Sequence, residues 1–281
     1  MKFKYFSLIL SGLFLLSGCQ LISRNFTQNP SSNNQDTNLS ELDPASSSPL
    51  VNESVAPKPP VSSPQPKPDS ILPKDNQNSE TPNFLDYPVL FASQAPYGVW
   101  DPFHQEACEE ASMIMADVYF NKKPLSSHLM EQAILDLVKW EEENNYQVDV
   151  SAEETVEILK EYFNLSAELT TEVTVEKIKK ELALGKLVIV PAAGRELGNP
   201  YFHEPGPIYH MLVIRGYDEK NQEFITNDPG TKRGEGFRYQ YKKMLSAVHD
   251  WNHDLAEGGM TDEEINQGRK VIIIVGPAES D

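Results

Sequence analysis

Between Glu106 and Phe120, apolar residues recur at Ala107, Ala111, Ile114, Met115 and Val118, a spacing that predicts a helix. Ser126 or Ser127 is placed to cap a second helix over about 128–144. Ser151-Ala152-Glu153-Glu154 reads as a capping box opening a third, over about 152–163. Thr174 caps a fourth that ends at Leu184, with Gly185 beyond it. The period then changes. Lys186–Val190, Tyr209–Gly216, Glu223–Asn227 and Val271–Val275 are runs rich in β-branched residues and read as strands. Helices first and strands second predict an α+β fold, with the helices on one side of a mostly antiparallel sheet. No internal repeat is visible.

The pattern upstream is different. Met1-Lys2-Phe3-Lys4 precedes an apolar run from Tyr5 to Leu16, a charged start and a short hydrophobic stretch that fit an export signal and fall short of a comfortable membrane span. Residues 20–83 hold eleven prolines and no glycine, tryptophan or tyrosine. Such a stretch buries too little apolar surface to offset its ordering entropy, and its prolines favour extended segments. It reads as a tether that lets a domain range roughly 40–100 Å from its attachment point. Aromatics resume at Phe84, where the folded domain is expected to begin; the organisation is thus 1–18 signal, 19–83 tether and 84–281 domain.

Charge narrows the function. The chain carries a formal −18, of which residues 1–19 supply +2 and residues 20–83 supply −3, leaving −17 on the domain. That excludes the basic stripe a nucleic-acid surface needs and argues against docking on anionic lipid. The domain is long enough for one sizeable core.

The chain has two cysteines, too few for a disulfide-stapled scaffold. Leu16-Ser17-Gly18-Cys19, directly after the hydrophobic stretch, resembles the bacterial lipobox. That resemblance implies cleavage before Cys19 and its acylation, palmitate among the chains. It also implies a membrane partner through the lipid, and a place in the bacterial cell envelope with the domain outside the cytoplasm. Several acyl chains give stable anchoring, at about 0.8 kcal/mol per buried methylene. Cys108 is then the one free thiol.

Three later segments carry chemistry. Cys108 lies near the start of the first core helix, where the dipole favours thiolate while Glu106, Glu109 and Glu110 oppose it. A partner imidazolium is therefore needed. His210 opens the apolar strand Met211-Leu212-Val213-Ile214 that ends Gly216-Tyr217-Asp218. A short polar turn joins it to the 223–227 strand, so the two form a hairpin with Asp228 at the end opposite the turn, beside His210. A carboxylate there fixes the imidazole tautomer and stabilises its charged form. Nucleophile, base and orienting group are thus distant in sequence and adjacent in space.

With Gln94-Ala95-Pro96-Tyr97-Gly98 upstream and Asp228-Pro229 after the second strand, these residues resemble the bacteriocin-processing-peptidase-like branch of the papain-fold cysteine peptidases, over roughly 86–275. The resemblance implies a papain-like fold, Cys108 as nucleophile, His210 as general base and acid, Asp228 as orienting carboxylate and Gln94 as oxyanion donor. It implies no metal and no organic cofactor, and a peptide or protein substrate. Where the branch often has Gly-Cys-Gly-Pro, this chain has Ala107-Cys108-Glu109-Glu110, and the long interval from Gln94 to Cys108 leaves Gln105 as a rival donor. Trp100 is expected to hold the Gln94 loop in the core.

The remaining polar features read as structural. His104, His128 and His203 are surface or structural residues, His249 to Asp254 a polar helix end, and Glu141-Glu142-Glu143 a solvated one. Gly194 to Tyr201 is a loop that either lines the cleft or simply connects. The expected activity is an exported cysteine peptidase. The alternatives are a cell-wall peptide amidase or acyl transferase using the same residues, or a silent peptide-binding domain.

Overall fold

The structure, a computed structural model, describes residues 81–256 and 259–278. The export signal, Cys19 and the tether lie outside the described residues. Within them the chain runs β1 (Phe84–Asp86), α1 (Pro102–Gln105), α2 (Cys108–Phe120), α3 (Ser127–Glu143), α4 (Ala152–Glu161), β2 (Ser166–Thr170), α5 (Val175–Ala183), β3 (Leu187–Ala193) and α6 (Gly194–Leu197). It continues through β4 (Tyr209–Asp218), β5 (Glu223–Asn227), β6 (Phe237–Gln240), α7 (Tyr241–Ala247), α8 (Asp262–Ile265) and β7 (Ile272–Gly276).

The strands make one antiparallel sheet in the order β2-β7-β3-β4-β5-β6, with β1 added to the far end of β4. The class is α+β, with the helices packed on a single antiparallel sheet. One expectation is corrected: helices cover both faces. The first core gathers α2 and α4 residues such as Met115 and Ile158 against Ile189, Met211, Val213 and Ile273. The second gathers Ile178 and Leu182 of α5 and Met244 of α7 against Val188, Leu212, Ile214 and Ile274. This explains the unbroken apolar runs of β3 and β7, which are buried at every residue. A sheet wetted on one face would alternate instead.

Local signals set the helix ends. Ser126 accepts from Leu129 N–H, Thr174 from Lys177 N–H, and Ser151 with Glu154 closes a capping box. Helix α2 is buried along its length from Cys108 to Val118. Its small residues Ala111 and Ala116 admit close neighbours, and Ser112 Oγ–H donates to the Met211 carbonyl at 3.1 Å, pinning the first turns of α2 to the start of β4. Residues 249–254 form an irregular segment after α7 rather than a helix end. There buried Asp250 accepts from Ala152 N–H at 2.8 Å and His253 pairs with Glu154 at 2.8 Å.

Candidate active site

Strand β5 ends at Asn227, paired with Val213, so the first residues of β4 extend beyond it. Asp228 leaves the ladder there and turns back on His210. His210 Nε2 lies 2.8 Å from Asp228 Oδ1, with both side chains buried. Asp228 Oδ1 also accepts from Gly230 N–H at 3.0 Å. Its Oδ2 accepts from Tyr239 O–H at 2.5 Å and from Asn199 Nδ2 at 2.9 Å. Burial pushes Asp228 upward, but the His210 charge and the hydrogen bonds from His210, Tyr239 and Asn199 outweigh it and hold the carboxyl below its usual range. With an ionised acceptor opposite, Nε2 carries a proton and donates it to Asp228.

Two glycines allow this crowding. A Cβ at Gly230 would stand 2.8 Å from His210 Cε1, and one at Gly234 would stand 1.7 Å from the Asp228 carbonyl oxygen. Phe202 meets the His210 ring edge to face, with centroids 5.2 Å apart.

Cys108 is the first residue of α2 and is buried. Its Sγ–H donates to Glu109 Oε2 at 2.9 Å. Burial first, then the Glu109 and Glu110 charges, push the thiol well above its usual range, and the Met211 N–H opposes them. Among the described residues Cys108 and His210 share no hydrogen bond. His210 continues the side-chain row of Leu212 and Ile214, in the second core, whereas Cys108 and Met211 belong to the first. The two rows adjoin at the start of β4, where the carbonyl of Met211, one peptide bond from His210, accepts from Ser112 of α2.

Gln94 reaches the same place from the other side. Its backbone N–H donates to the Pro229 carbonyl at 3.1 Å, next to Asp228. Its Nε2 donates to the His104 and Gln105 carbonyls, each at 2.9 Å, so both amide protons are engaged in holding the approach to α2. Gln105 is exposed and donates to the Trp100 carbonyl at 2.9 Å. Trp100 is 37% exposed, so it does not fix that loop in the core as expected; the docking of Ser93 Oγ and Gln94 N–H on Pro229 does so.

A second correction concerns Glu141. It is not solvated: it continues the buried stripe Met130, Ile134 and Leu137 of α3. Burial and the neighbouring Glu110 push it up to about 10, and burial pushes Glu110 up to about 7. Glu141 therefore keeps its proton and donates it to Glu110 of α2 inside the core. Because its folded pKa is raised, Glu141 binds a proton in the folded chain that the unfolded chain lacks between about pH 4.5 and 10. Its contribution falls as pH rises through that window. Glu141→Gln supplies an amide donor in place of the proton. It is expected to raise Tm at pH 8, by ~2–4 °C for each kcal/mol of relieved strain, and to flatten the fall in Tm between pH 5 and 9. Thermal melts across pH check this; an unchanged slope would refute the protonated pair.

The model of the Peptidase_C39 like family matches residues 84–254, and the chain belongs to that family. It is thus a cysteine-type peptidase, a hydrolase. Among solved structures it is similar to a Bacillus anthracis protein described as a C39-like peptidase, at 14% identity and a TM-score of 0.44, over 70% of this chain and 99% of that one. It is also similar to xylellain, a cysteine protease from Xylella fastidiosa, at 12% identity and a TM-score of 0.31, over 71% and 88% of the two chains. No curated protein matches it.

The chemistry-bearing residues foreseen from sequence thus fall around one end of β4. Asn199 and Tyr239 were not foreseen. Asn199 lies in the Gly194–Tyr201 segment, which does line the site, and its position before Pro200 was the available hint. Nothing local marks Tyr239, one of two aromatics in a four-residue strand.

Proposed function

We propose that this peptidase cleaves an amide bond through a Cys108-His210-Asp228 triad. The observation that carries the reading is the buried 2.8 Å contact between His210 Nε2 and Asp228 Oδ1, beside the helix that begins with Cys108. Because its environment holds the thiol protonated, the nucleophile is made during the reaction. Cys108 rotates off Glu109, Nδ1 of His210 takes the S–H proton, and sulfur bonds to the scissile carbonyl carbon. The tetrahedral oxyanion collapses as the C–N bond breaks and His210 returns the proton to the leaving amine. His210 then deprotonates a water that attacks the thioester, releasing the acid and the thiol. The test is cleavage of a peptide library by the full-length protein, read by mass spectrometry, together with alkylation of Cys108 across pH. Products from the library together with an alkylation rate that depends on His210 support the triad. Neither appearing sinks it.

In this reading Gln94 supplies an N–H to the oxyanion by exchanging one of its two carbonyl partners. Gln94→Ala is then expected to lower acylation by roughly two orders of magnitude with little change in ground-state binding. Gln105→Ala, which only loosens the Trp100 carbonyl, should cost little. Single-turnover rates on the best library peptide decide between them, and reversed losses would transfer the role to Gln105.

The enzyme is further proposed to be exported and lipid-anchored through Cys19, in the bacterial cell envelope, with peptides or proteins as substrates. The Leu16-Ser17-Gly18-Cys19 string supports this. Metabolic labelling with fatty acid should mark the native protein and leave Cys19→Ser unmarked. Label on the variant would contradict the anchor.

A further inference from the structure

We propose that Tyr239 and Asn199 are positioning residues of the peptidase, a two-donor clamp on Asp228 that keeps this carboxylate ionised and aimed at His210. The inference rests on the reading of Asp228 as the orienting member of the triad. Its argument is a count of donors and acceptors. Asp228 accepts four hydrogen bonds: His210 and Gly230 N–H on Oδ1, Tyr239 and Asn199 on Oδ2. A carboxylate offers about four lone-pair sites, so none is left over.

The two clamp residues also satisfy each other. Asn199 Nδ2 donates to Tyr239 Oη at 3.0 Å, closing a triangle with Asp228 Oδ2. Asn199 Oδ1 accepts from Tyr201 N–H at 3.0 Å, which fixes the amide so that its nitrogen, not its oxygen, faces the carboxylate. Tyr239 is nearly buried, and burial followed by the Asp228 charge pushes its hydroxyl well above the phenol range, so it remains a donor. The titratable groups acting on Asp228 are His210 from β4 and Tyr239 from β6.

The clamp has a structural origin. Tyr239 sits on β6, paired with Phe224 of β5, while Asn199 follows the left-handed Gly198 that ends α6. Each reaches Asp228 from a different element, so together they set its two torsions. Without them a buried carboxylate beside an imidazole would protonate more readily and could rotate Oδ1 away. Hydrogen bonds to a charged group are worth enough that losing one is expected to slow the reaction about ten- to a hundredfold.

The test uses the full-length Cys19→Ser protein, in which Cys108 is the sole thiol, and the second-order rate of its alkylation by iodoacetamide between pH 4 and 9. Asp228→Asn, Tyr239→Phe and Asn199→Ala are compared with Tyr217→Phe, whose hydroxyl serves the Pro82 carbonyl. The clamp predicts that Tyr239→Phe and Asn199→Ala both slow alkylation and move its acid limb to higher pH, while Tyr217→Phe moves neither. Should Tyr239→Phe fail to fold, Asn199→Ala carries the same prediction. A loss in Asp228→Asn with no change in the two clamp variants overturns the clamp alone. A uniform slowing with an unmoved acid limb reduces both residues to packing and also overturns it. An unaffected Asp228→Asn overturns the triad reading and the clamp with it.

Discussion

Cys108→Ala is expected to abolish peptide cleavage while leaving the domain folded. Comparable removals of a nucleophile cost about six orders of magnitude in turnover. The fold should survive for three reasons. The side chain is small, alanine is the better helix former at a helical position, and the lost thiol hydrogen bond ends on Glu109, which still accepts from Val150 N–H. Burial also makes the variant informative, because no surface property changes with it. Library cleavage and a thermal melt on the same preparation check both halves. Retained turnover in a folded variant would remove Cys108 from the mechanism.

Asp228→Asn is expected to lower turnover by about four orders of magnitude, the scale seen when an orienting carboxylate in a triad becomes an amide. The local reason is specific. All four partners of Asp228 are donors, so an amide NH2 at either oxygen's place opposes another donor. If it opposes His210, the imidazole is driven to the tautomer that protonates Nδ1, the nitrogen needed as base. If it opposes Tyr239 and Asn199, the clamp breaks instead. Stability should fall as well. Asp228 is held below its usual range when folded, so its contribution is present above about pH 3.8 and lost as pH falls through the folded value. The melting curve of the variant should therefore lose that acid-side slope. Unimpaired turnover would show that His210 acts without an orienting charge.

The two variants separate what each half of the site does. Cys108 belongs to the first core, on the helix that the sheet and α3 enclose; the His210-Asp228 pair belongs to the row of the second core. In the proposed mechanism the thiol would leave its Glu109 acceptor for His210, so the Cys108 Sγ–H to Glu109 hydrogen bond is the contact the reaction has to break.

Local order was legible in the chain because its causes are local. Ser126, Ser151 and Thr174 cap helices through their own neighbours, and the hairpin of β4 and β5 follows from two β-branched runs and a short turn. That hairpin suffices to bring Asp228 to His210, which is why the pair was foreseeable from spacing. Residues 84–86, 166–170 and 237–240 went unread as strands, being too short for periodicity to speak. Their partners, β4, β7 and β5, lie far along the chain or depend on the sheet's order. Glu141 looked like a solvated end because its charge is visible in sequence and its burial is not. Only the packing of α3 against α2 makes its stripe continue through a carboxyl. The second helical layer was implicit in the unbroken runs of β3 and β7, but which helices form it is settled by tertiary contacts.

By itself the sequence determined the α+β class and the main helices and strands, and it put forward Gln94, Cys108, His210 and Asp228 as the candidate site. Tertiary structure alone decided that Gln94 spends its amide on two carbonyls, that the thiol faces Glu109, and that Tyr239 and Asn199 complete Asp228. The reason is physical: a cap or a hairpin is made by residues within a few positions of each other. A buried proton or a saturated carboxylate is made by whatever side chains separate elements bring to one point.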